Sequence, residues 1–277
     1  MSRIKKQTPQ YYFSAKERLS RGSMCLKKGT APLSTLQCQV YLALSAQKKR
    51  IALKGYESVV VLLKGKARIT VGNVVYDIGP RKSVFDDEQA WACFIPRGSS
   101  YFLSSVGKQA EVAIMANSVG ITYADKEINP YVIVPQCVSK KRTGKGAYGR
   151  RVYTIFDGPA SGVGTTFKLG ETYNLPGKWS SFPPHKHAIN RKGKETRHEE
   201  VYFFKVAPQD REGVLRLYNE KGLDETHVIR NNDSCVVSEG YHPVVAFPGT
   251  MVYYLWGLSG KASKVYSAID KRYEFVE

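Results

Sequence analysis

The sequence predicts an all-β protein that consists of two β-barrel domains in tandem. Short runs of apolar and alternating residues, such as 56–63, 67–71 and 74–78, are separated by Gly- and Asn-containing turn signals. No long segment has the 3.6-residue period of an amphipathic helix. Regularly spaced short strands of this kind are typical of β-sandwiches and barrels.

The pattern of short predicted strands occurs in both halves of the chain, and one aperiodic stretch separates them. The first predicted domain is 1–135, and a Gly- and Lys-rich stretch without periodicity at 136–150 is predicted as a linker. The second predicted domain is 151–277, with strands expected at 152–156, 165–169, 200–206, 213–218, 234–237, 243–246 and 252–255.

Composition limits the classes of protein to consider. No apolar run approaches the roughly 18–20 residues of a membrane helix, and the basic residues at 1–6 are not followed by an apolar signal region. We therefore predict a cytoplasmic protein without a membrane partner. The five cysteines are odd in number and lack CxxC spacing, which argues against a disulfide framework or a cysteine-type zinc site.

The net charge of +18 attracts anions, which include nucleic acid, acidic membranes and small acidic substrates. Basic clusters occur at 140–151 and 191–197, but neither lies in a helix-turn-helix, zinc-finger or RNA-binding pattern. We predict a small anionic substrate, no nucleic-acid partner, and a mostly solvated basic surface. Nucleic-acid binding through these clusters stays open as an alternative.

All five histidines lie in the second half of the chain, and three of them carry a pattern. His185 and His187 stand two residues apart, so a strand would place both imidazoles on one face and Lys186 on the other. A pair of glutamates follows at 199 and 200, and His242 comes after the turn residue Gly240. His198 and His227 lack supporting spacing and are interpreted as surface or loop residues.

This order of residues resembles the two-part metal motif of the cupin superfamily. The resemblance implies a metal site with His185, His187, Glu200 and His242 as ligands, where Glu200 is selected because it directly precedes Val-Tyr. It also implies one divalent metal per chain, and imidazole with carboxylate suits Zn, Mn, Fe, Ni or Co.

Several segments further resemble the 5-deoxyglucuronate isomerase family of inositol catabolism. They are the residues WSSFPPHKH at 179–187, EEVY at 199–202, GYHPVVA at 240–246 and, in the first half, RKSVFD at 81–86. The resemblance implies two cupin-type (jelly-roll) barrels and a metal-dependent aldose–ketose isomerase that converts 5-deoxy-glucuronate to 5-dehydro-2-deoxy-gluconate. The first barrel, which has no histidine, is expected to act as a scaffold and a subunit contact, which leaves a homo-oligomer open.

Strand alternation suggests further site residues. Tyr202, which shares a strand face with Glu200, is a candidate catalytic residue, and Tyr254 is a further one. Arg216 and Tyr218, which share a face, are the candidate substrate-binding residues, and Arg216 is preferred for the substrate carboxylate because a guanidinium binds a carboxylate in bidentate geometry. The chain departs from the family pattern at Ala188, Ser238 and Trp256, positions that bear on substrate identity more than on metal binding. The alternatives are an isomerase of a related deoxy-uronate and a non-catalytic sugar-binding cupin.

Overall fold

The structure is a computed structural model that describes residues 9–86, 90–119 and 128–276. Within these ranges the only α-helix is α1 (Ala15–Arg18), and single 3-10 turns occur at Pro135–Cys137, Gly146–Tyr148 and Lys271–Tyr273. The remaining regular structure is β, which confirms the all-β prediction. None of the helices in the described ranges has the length and apolar character needed to cross a membrane. The basic residues at 1–6 lie outside the described part.

Ten strands precede position 135 and twelve follow it in the described residues. The first ten are β1 (Tyr12–Phe13), β2 (Ser23–Leu26), β3 (Leu36–Leu44), β4 (Lys49–Ala52), β5 (Glu57–Val71), β6 (Val74–Arg81), β7 (Ala92–Ile95), β8 (Ser100–Ser105), β9 (Ala110–Asn117) and β10 (Tyr131–Ile133). The later ones are β11 (Ser139–Thr143), β12 (Arg150–Asp157), β13 (Lys168–Asn174), β14 (Trp179–Ser180), β15 (His185–Lys186), β16 (Glu199–Ala207), β17 (Gly213–Tyr218), β18 (Asp224–Ile229), β19 (Ser234–Val237), β20 (Val244–Ala246), β21 (Met251–Ser259) and β22 (Ala268–Ile269).

The first barrel is formed by β2–β10, and its two faces are joined by the long strand β5. The first part of β5 pairs with β7 and β9, and the second part pairs with β6 and β8. Inward-facing residues such as Val60, Leu62 and Ile69 form one buried apolar cluster inside this barrel. The first half therefore fills its own interior with side chains and contains no histidine.

The second barrel consists of two sheets that face each other. The seven-stranded sheet has the order β1-β19-β16-β21-β13-β12-β11, and the four-stranded sheet has the order β14-β20-β17-β18. Tyr202 and Phe204 of β16 and Leu215 and Leu217 of β17 point into the space between them and belong to one buried cluster. The predicted strand at 165–169 begins later, at Lys168, and continues to Asn174.

The outer face of the seven-stranded sheet packs against the first barrel. Because neighbouring residues of a strand face opposite sides, the residues that alternate with the inward-facing ones are buried between the barrels. They form one apolar cluster with residues of the first barrel: Val201, Phe203, Tyr253 and Leu255 with Val59, Val61, Ala113 and Met115.

Two strands, β11 and β1, pair with strands of the second barrel in ways that the sequence did not indicate. Residues 136–150, predicted as a linker, contain β11, which pairs with β12 from Ser139↔Thr154 to Thr143↔Arg150. This segment is therefore an edge of the large sheet of the second barrel. At the other edge, β1 from the start of the described chain pairs with β19. The domain limits at 135 and 151 stay predictions.

Candidate metal centre

Strand β16 supplies the acidic residue of the candidate centre. Glu200 and Tyr202 lie on its inner face, whereas Val201 between them is buried between the barrels. Glu199 also faces the first barrel, where its carboxylate accepts hydrogen bonds from the backbone N–H groups of Ser34 and Thr35. Alternation along one strand thus directs only Glu200 to the interior of the second barrel, as predicted.

The His-Lys-His segment lies opposite β16 on a short strand. β15 contains His185 and Lys186, pairs with β22, and ends immediately before His187. Lys186 points away from the histidines, with its Nζ 2.6 Å from the Glu220 carboxylate and 4.7 Å from the centre of the Tyr241 ring. The two imidazoles and the lysine therefore lie on different sides, as strand spacing predicts.

A tight turn positions the last histidine. Gly240 has φ +86°, and a Cβ at this position would lie 2.7 Å from the carbonyl oxygen of Tyr218. Both the left-handed backbone and this close approach require glycine. The turn directs His242, which is fully buried, between the two sheets, and the Gly240 carbonyl accepts a hydrogen bond from His242 Nδ1 at 3.1 Å.

Three of the four predicted ligand residues form one compact group. One potential ligand atom each from His187, Glu200 and His242 lies within 4.8 Å of the other two. Oε2 of Glu200 is 3.1 Å from Nε2 of His187 and 3.6 Å from Nε2 of His242. His185 lies beside this group, with its ring centre 4.8 Å from that of His242.

Backbone carbonyls determine which ring nitrogen of each histidine faces the group. Nδ1 of His185 lies 3.0 Å from the Pro183 oxygen, and Nδ1 of His187 lies 3.0 Å from the His198 oxygen. His242 has the same arrangement with Gly240. A carbonyl oxygen only accepts, so each Nδ1 carries the proton and each neutral ring has its lone pair on Nε2.

With the protons on Nδ1, hydrogen-bond acceptors of neighbouring side chains face each other without a donor between them. Nε2 of His187 and Oε2 of Glu200 both carry lone pairs, so a proton or a metal cation must lie between them. Nε2 of His242 is buried and has no hydrogen-bond partner in the described residues. A divalent metal would satisfy all these atoms at once, so the donor set fits such an ion.

Electrostatics of the group follow from burial and from the single carboxylate. Burial, together with the neighbouring His185 and His187, lowers the pKa of His242 well below its ordinary value. Burial also lowers the pKa of His185. For His187, burial acts in the same direction, but the hydrogen bond and charge of Glu200 outweigh it and raise the pKa.

A cavity of about 150 Å³ lies next to the group. Its polar lining residues are Arg150, Thr172, Ser181, His185, Glu200, Tyr202 and Tyr254, and Trp256 lies beside them. The hydroxyls of Tyr202 and Tyr254 are 3.2 and 3.4 Å from Oγ of Ser181. Burial and the charge of Glu200 raise the pKa of Tyr202 well above its ordinary value, so its hydroxyl is protonated at neutral pH. Both predicted catalytic tyrosines thus lie in the cavity.

The structure corrects the predicted positions of Arg216 and Tyr218. Leu215 and Leu217 of β17 face the barrel interior, so Arg216 and Tyr218 lie on the outer face. Arg216 donates to the Asp224 carboxylate at 3.0 Å and stacks over the Tyr218 ring, and Tyr218 donates to Asp270 at 2.7 Å. Neither residue lines the cavity beside Glu200.

Two residues near the group were missed by the sequence interpretation. Arg150 lines the cavity, although it was assigned to the linker. His198, interpreted as a surface or loop residue, is 1% exposed, and its carbonyl accepts the hydrogen bond from His187. The alternation of Arg150 with Val152, which also lines the cavity, was the available signal for the arginine.

Comparison with known proteins agrees with this architecture. The sequence model of the KduI/IolB family matches residues 15–276. The 5-deoxy-glucuronate isomerase of Geobacillus kaustophilus is 34% identical over 224 residues, which cover 80% of this chain and 78% of that protein. The protein of the same name from Listeria innocua is 28% identical, with 85% of each chain covered.

Solved structures show the same fold. An IolB-like protein from Salmonella typhimurium superposes with a TM-score of 0.81 at 24% identity, over 99% of this chain and 97% of that one. An oxalate decarboxylase from Lactobacillus farciminis gives a TM-score of 0.66 at 11% identity, over 95% and 89%. The predicted pair of cupin barrels is confirmed. Since the family match extends over nearly all the described residues, the chain belongs to the KduI/IolB family.

Proposed function

We propose that the chain is a metal-dependent aldose–ketose isomerase that converts 5-deoxy-glucuronate to 5-dehydro-2-deoxy-gluconate in inositol catabolism. Family membership and the names of the relatives support the isomerase activity and the substrate. The observation that carries the metal dependence is the convergence of buried imidazole nitrogens on the Glu200 carboxylate, with Nε2 of His242 left without a partner.

Four residues would hold the ion in this proposal. They are His187, Glu200 and His242, which form the compact group, and His185, which lies next to His242. Imidazole and carboxylate suit Zn, Mn, Fe, Ni or Co, so the residues define a class of metal and not one element. We expect about one divalent metal per chain, because the second barrel alone contains these residues.

An aldose–ketose isomerase moves a proton between adjacent carbons while charge develops on the carbonyl oxygen. The metal, when bound, supplies Lewis-acid polarisation of that carbonyl. Tyr202 is protonated and faces the cavity, so it can donate a hydrogen bond to a substrate oxygen. Ser181 contacts the hydroxyls of Tyr202 and Tyr254 and provides a hydrogen-bonded path between them. We assign to Tyr202 and Tyr254 the hydrogen bonds that stabilise charge on the substrate oxygens while the proton moves between the carbons.

The cavity beside the group is suited to stabilise charge that develops on a substrate. The cavity is lined by strands β12, β13, β16 and β21 of the seven-stranded sheet, together with Ser181 and His185, and its hydroxyls belong to buried side chains. Oriented donors in such a site stabilise developing charge more strongly than water does. A non-catalytic sugar-binding cupin and an isomerase of a related deoxy-uronate are the alternatives, and turnover with defined substrates separates them.

The remaining expectations belong to the same proposal. The substrate is a small anionic sugar acid, no nucleic acid is required, and the protein acts in the cytoplasm. The first barrel serves as a scaffold, because it contributes a packed apolar face and no histidine. A homo-oligomer is compatible with this role.

Turnover measured by proton NMR tests the proposal. The protein is stripped with a chelator, reloaded with each candidate metal, and incubated with 5-deoxy-glucuronate. We expect conversion to the ketose only after reloading with metal. The rate of conversion should decrease strongly in Tyr202→Phe. It should change little in the control Tyr12→Phe, because the Tyr12 hydroxyl contacts Asp233 and does not line the cavity. Conversion that is equal in the stripped and the reloaded protein would refute the metal dependence. Absence of conversion with every metal would refute the isomerase.

A further inference from the structure

The residues His187, Glu200 and His242 are called the His/Glu group below. Arg150 is the one cationic side chain that lines the cavity beside this group in the described part of the chain. It begins strand β12, and Val152, two residues later, lines the same cavity. Arg151 between them faces the other side, where its guanidinium lies 5.5 Å from the centre of the Tyr173 ring. Strand alternation therefore places Arg150 on the same side of the sheet as Glu200 and Tyr202.

The guanidinium of Arg150 is held in place without a neutralising carboxylate. Its Nη1 donates to the backbone oxygens of Tyr148 at 3.2 Å and Phe182 at 3.1 Å. In the described residues no ion pair includes Arg150, and its Nε and Nη2 groups have no protein acceptor. The side chain is half-buried. It thus presents an oriented, uncompensated positive charge with free N–H donors beside the site.

Other basic residues near the site are already neutralised. Lys186 pairs with Glu220 and lies on the far side of β15. Arg216 pairs with Asp224 on the outer face of β17. Arg150 differs from both because its charge has no partner within the described protein, and a partly desolvated charge is costly unless an anion pairs with it. A carboxylate accepts two parallel hydrogen bonds from a guanidinium, which matches the donors that are left.

We propose that Arg150 binds the carboxylate of the substrate and thereby selects sugar acids over neutral sugars of the same shape. This proposal rests on the proposed function and adds an orientation to it: the carboxylate end lies at Arg150, and the carbonyl end lies at the His/Glu group. It takes over the role that the sequence had suggested for Arg216.

Arg150 also contacts the Phe182 carbonyl, three residues before His185, so a purely structural role must be distinguished. The two roles differ in what a substitution changes. Loss of a carboxylate contact weakens binding of the acid alone. Loss of a backbone contact at Phe182 displaces the histidine segment and affects the metal content and every ligand equally.

The experiment compares Arg150→Gln, Arg150→Lys and, as the matched control, Arg142→Gln, which removes one positive charge from the exposed neighbouring strand β11. Affinity for D-glucuronate and for D-glucose is measured by calorimetry, kcat/KM is measured for 5-deoxy-glucuronate and for 5-deoxy-glucose, and metal is quantified in each protein. Calorimetry does not depend on turnover, so this arm tests Arg150 even if the isomerase assignment fails.

We expect wild type to prefer the acids, and Arg150→Gln to weaken acid binding by about 10- to 100-fold, as for hydrogen bonds to charged groups. In Arg150→Gln the affinity for neutral sugars and the metal content should be unchanged. Arg150→Lys should have an intermediate affinity for acids, because lysine keeps the charge but lacks the planar guanidinium. Arg142→Gln should bind acids as wild type does. Wild type without a preference for acids would overturn the proposal, a result that needs no variant to fold. Equal losses for acid and neutral sugars, loss of metal, or unchanged acid binding in Arg150→Gln would also overturn it.

Discussion

Glu199 and Glu200 are neighbours in sequence, but their carboxylates lie on opposite faces of β16. Glu199 accepts backbone hydrogen bonds from Ser34, Thr35 and Leu36 at 2.9, 2.9 and 3.2 Å. Glu200 contacts His187 at 3.1 Å inside the second barrel. One residue thus connects the two barrels, and the next completes the candidate metal centre.

This relationship predicts that the two glutamates have separable effects. Glu200→Gln should reduce metal affinity by at least roughly 10- to 100-fold, the loss expected when a residue beside a metal ligand is changed. Glu199→Gln should retain the metal and lower the thermal midpoint. Although burial raises the pKa of Glu199, hydrogen bonds from Ser34 and Thr35 outweigh it and lower the pKa, so the carboxylate is ionised. Each such charged hydrogen bond contributes about 1.5–3 kcal/mol.

Metal content and calorimetric unfolding of the two variants check this prediction side by side. Loss of the metal in Glu199→Gln, or its retention in Glu200→Gln, would contradict the placement of Glu200 as the glutamate that faces the metal centre.

A buried ion pair joins the barrels at a second point. Arg81 at the end of β6 donates to the Glu171 carboxylate at 2.7 and 3.1 Å, and both side chains are fully buried. Tyr173 and Tyr253 also donate to this carboxylate, at 3.0 and 2.8 Å. Glu171→Gln removes the countercharge and should destabilise the protein by about 3–5 kcal/mol, as for other broken buried pairs.

Chemical denaturation measures the effect of Glu171→Gln, and Asp77→Asn is the matched control. Asp77 pairs with Arg68 at 2.8 Å, but both side chains are partly exposed, so this substitution should leave the denaturation midpoint close to wild type. Similar shifts of the denaturation midpoint in the two variants would contradict the prediction that breaking the buried Arg81–Glu171 pair is more destabilising than breaking an exposed one.

Phe13 connects the N-terminal strand to both barrels. It is fully buried in the cluster between the barrels, while its backbone pairs with Ser234 at the edge of the large sheet. Phe13→Ala should lower the free energy of unfolding by about 3–5 kcal/mol. Phe275→Ala is the control, because Phe275 is 78% exposed. Denaturation curves that coincide for the two variants would contradict the assignment of β1 to the second barrel.

Gly170 leaves room for an indole ring at the cavity. A Cβ at this position would lie 2.3 Å from Cζ2 of Trp256 and 2.3 Å from the Tyr153 oxygen. Gly170→Ala should therefore displace Trp256 and cost about 1–3 kcal/mol, as overpacking does, together with a lower kcat/KM. At Gly149 the nearest atom would be 3.6 Å away, so Gly149→Ala is the control for stability. An unchanged melting temperature and unchanged kinetics in Gly170→Ala would exclude this role of Trp256.

The sequence predicted those parts of the site that follow from local alternation. The spacing of His185 and His187, and the order Glu199-Glu200-Val201-Tyr202, determine which side chains share a face, and the structure places them accordingly. Alternation also grouped Arg216 with Tyr218 correctly. Alternation alone did not show which face of β17 lies inside the barrel. In the structure Leu215 and Leu217 occupy the inner face, so Arg216 and Tyr218 lie on the outer one.

Long-range pairing accounts for what the sequence did not reveal. Arg150 belongs to a strand whose partner, β11, is a run of exposed polar and basic residues without an apolar period. The crossing of β1 to β19 joins residues more than two hundred positions apart, and no local pattern encodes such a contact. The buried position of His198 depends likewise on its contact with His187.

The most direct test of the account is the metal content of the purified protein, determined by elemental analysis for wild type, the His187→Ala/His242→Ala double variant and the His227→Ala control. His227 stacks on Tyr12 away from the candidate centre, so its loss should not affect the metal. We predict about one divalent metal per chain in wild type and in the control, and almost none in the double variant. Wild type that binds no metal after incubation with Zn, Mn, Fe, Ni and Co, or a double variant that retains it, would contradict the central claim.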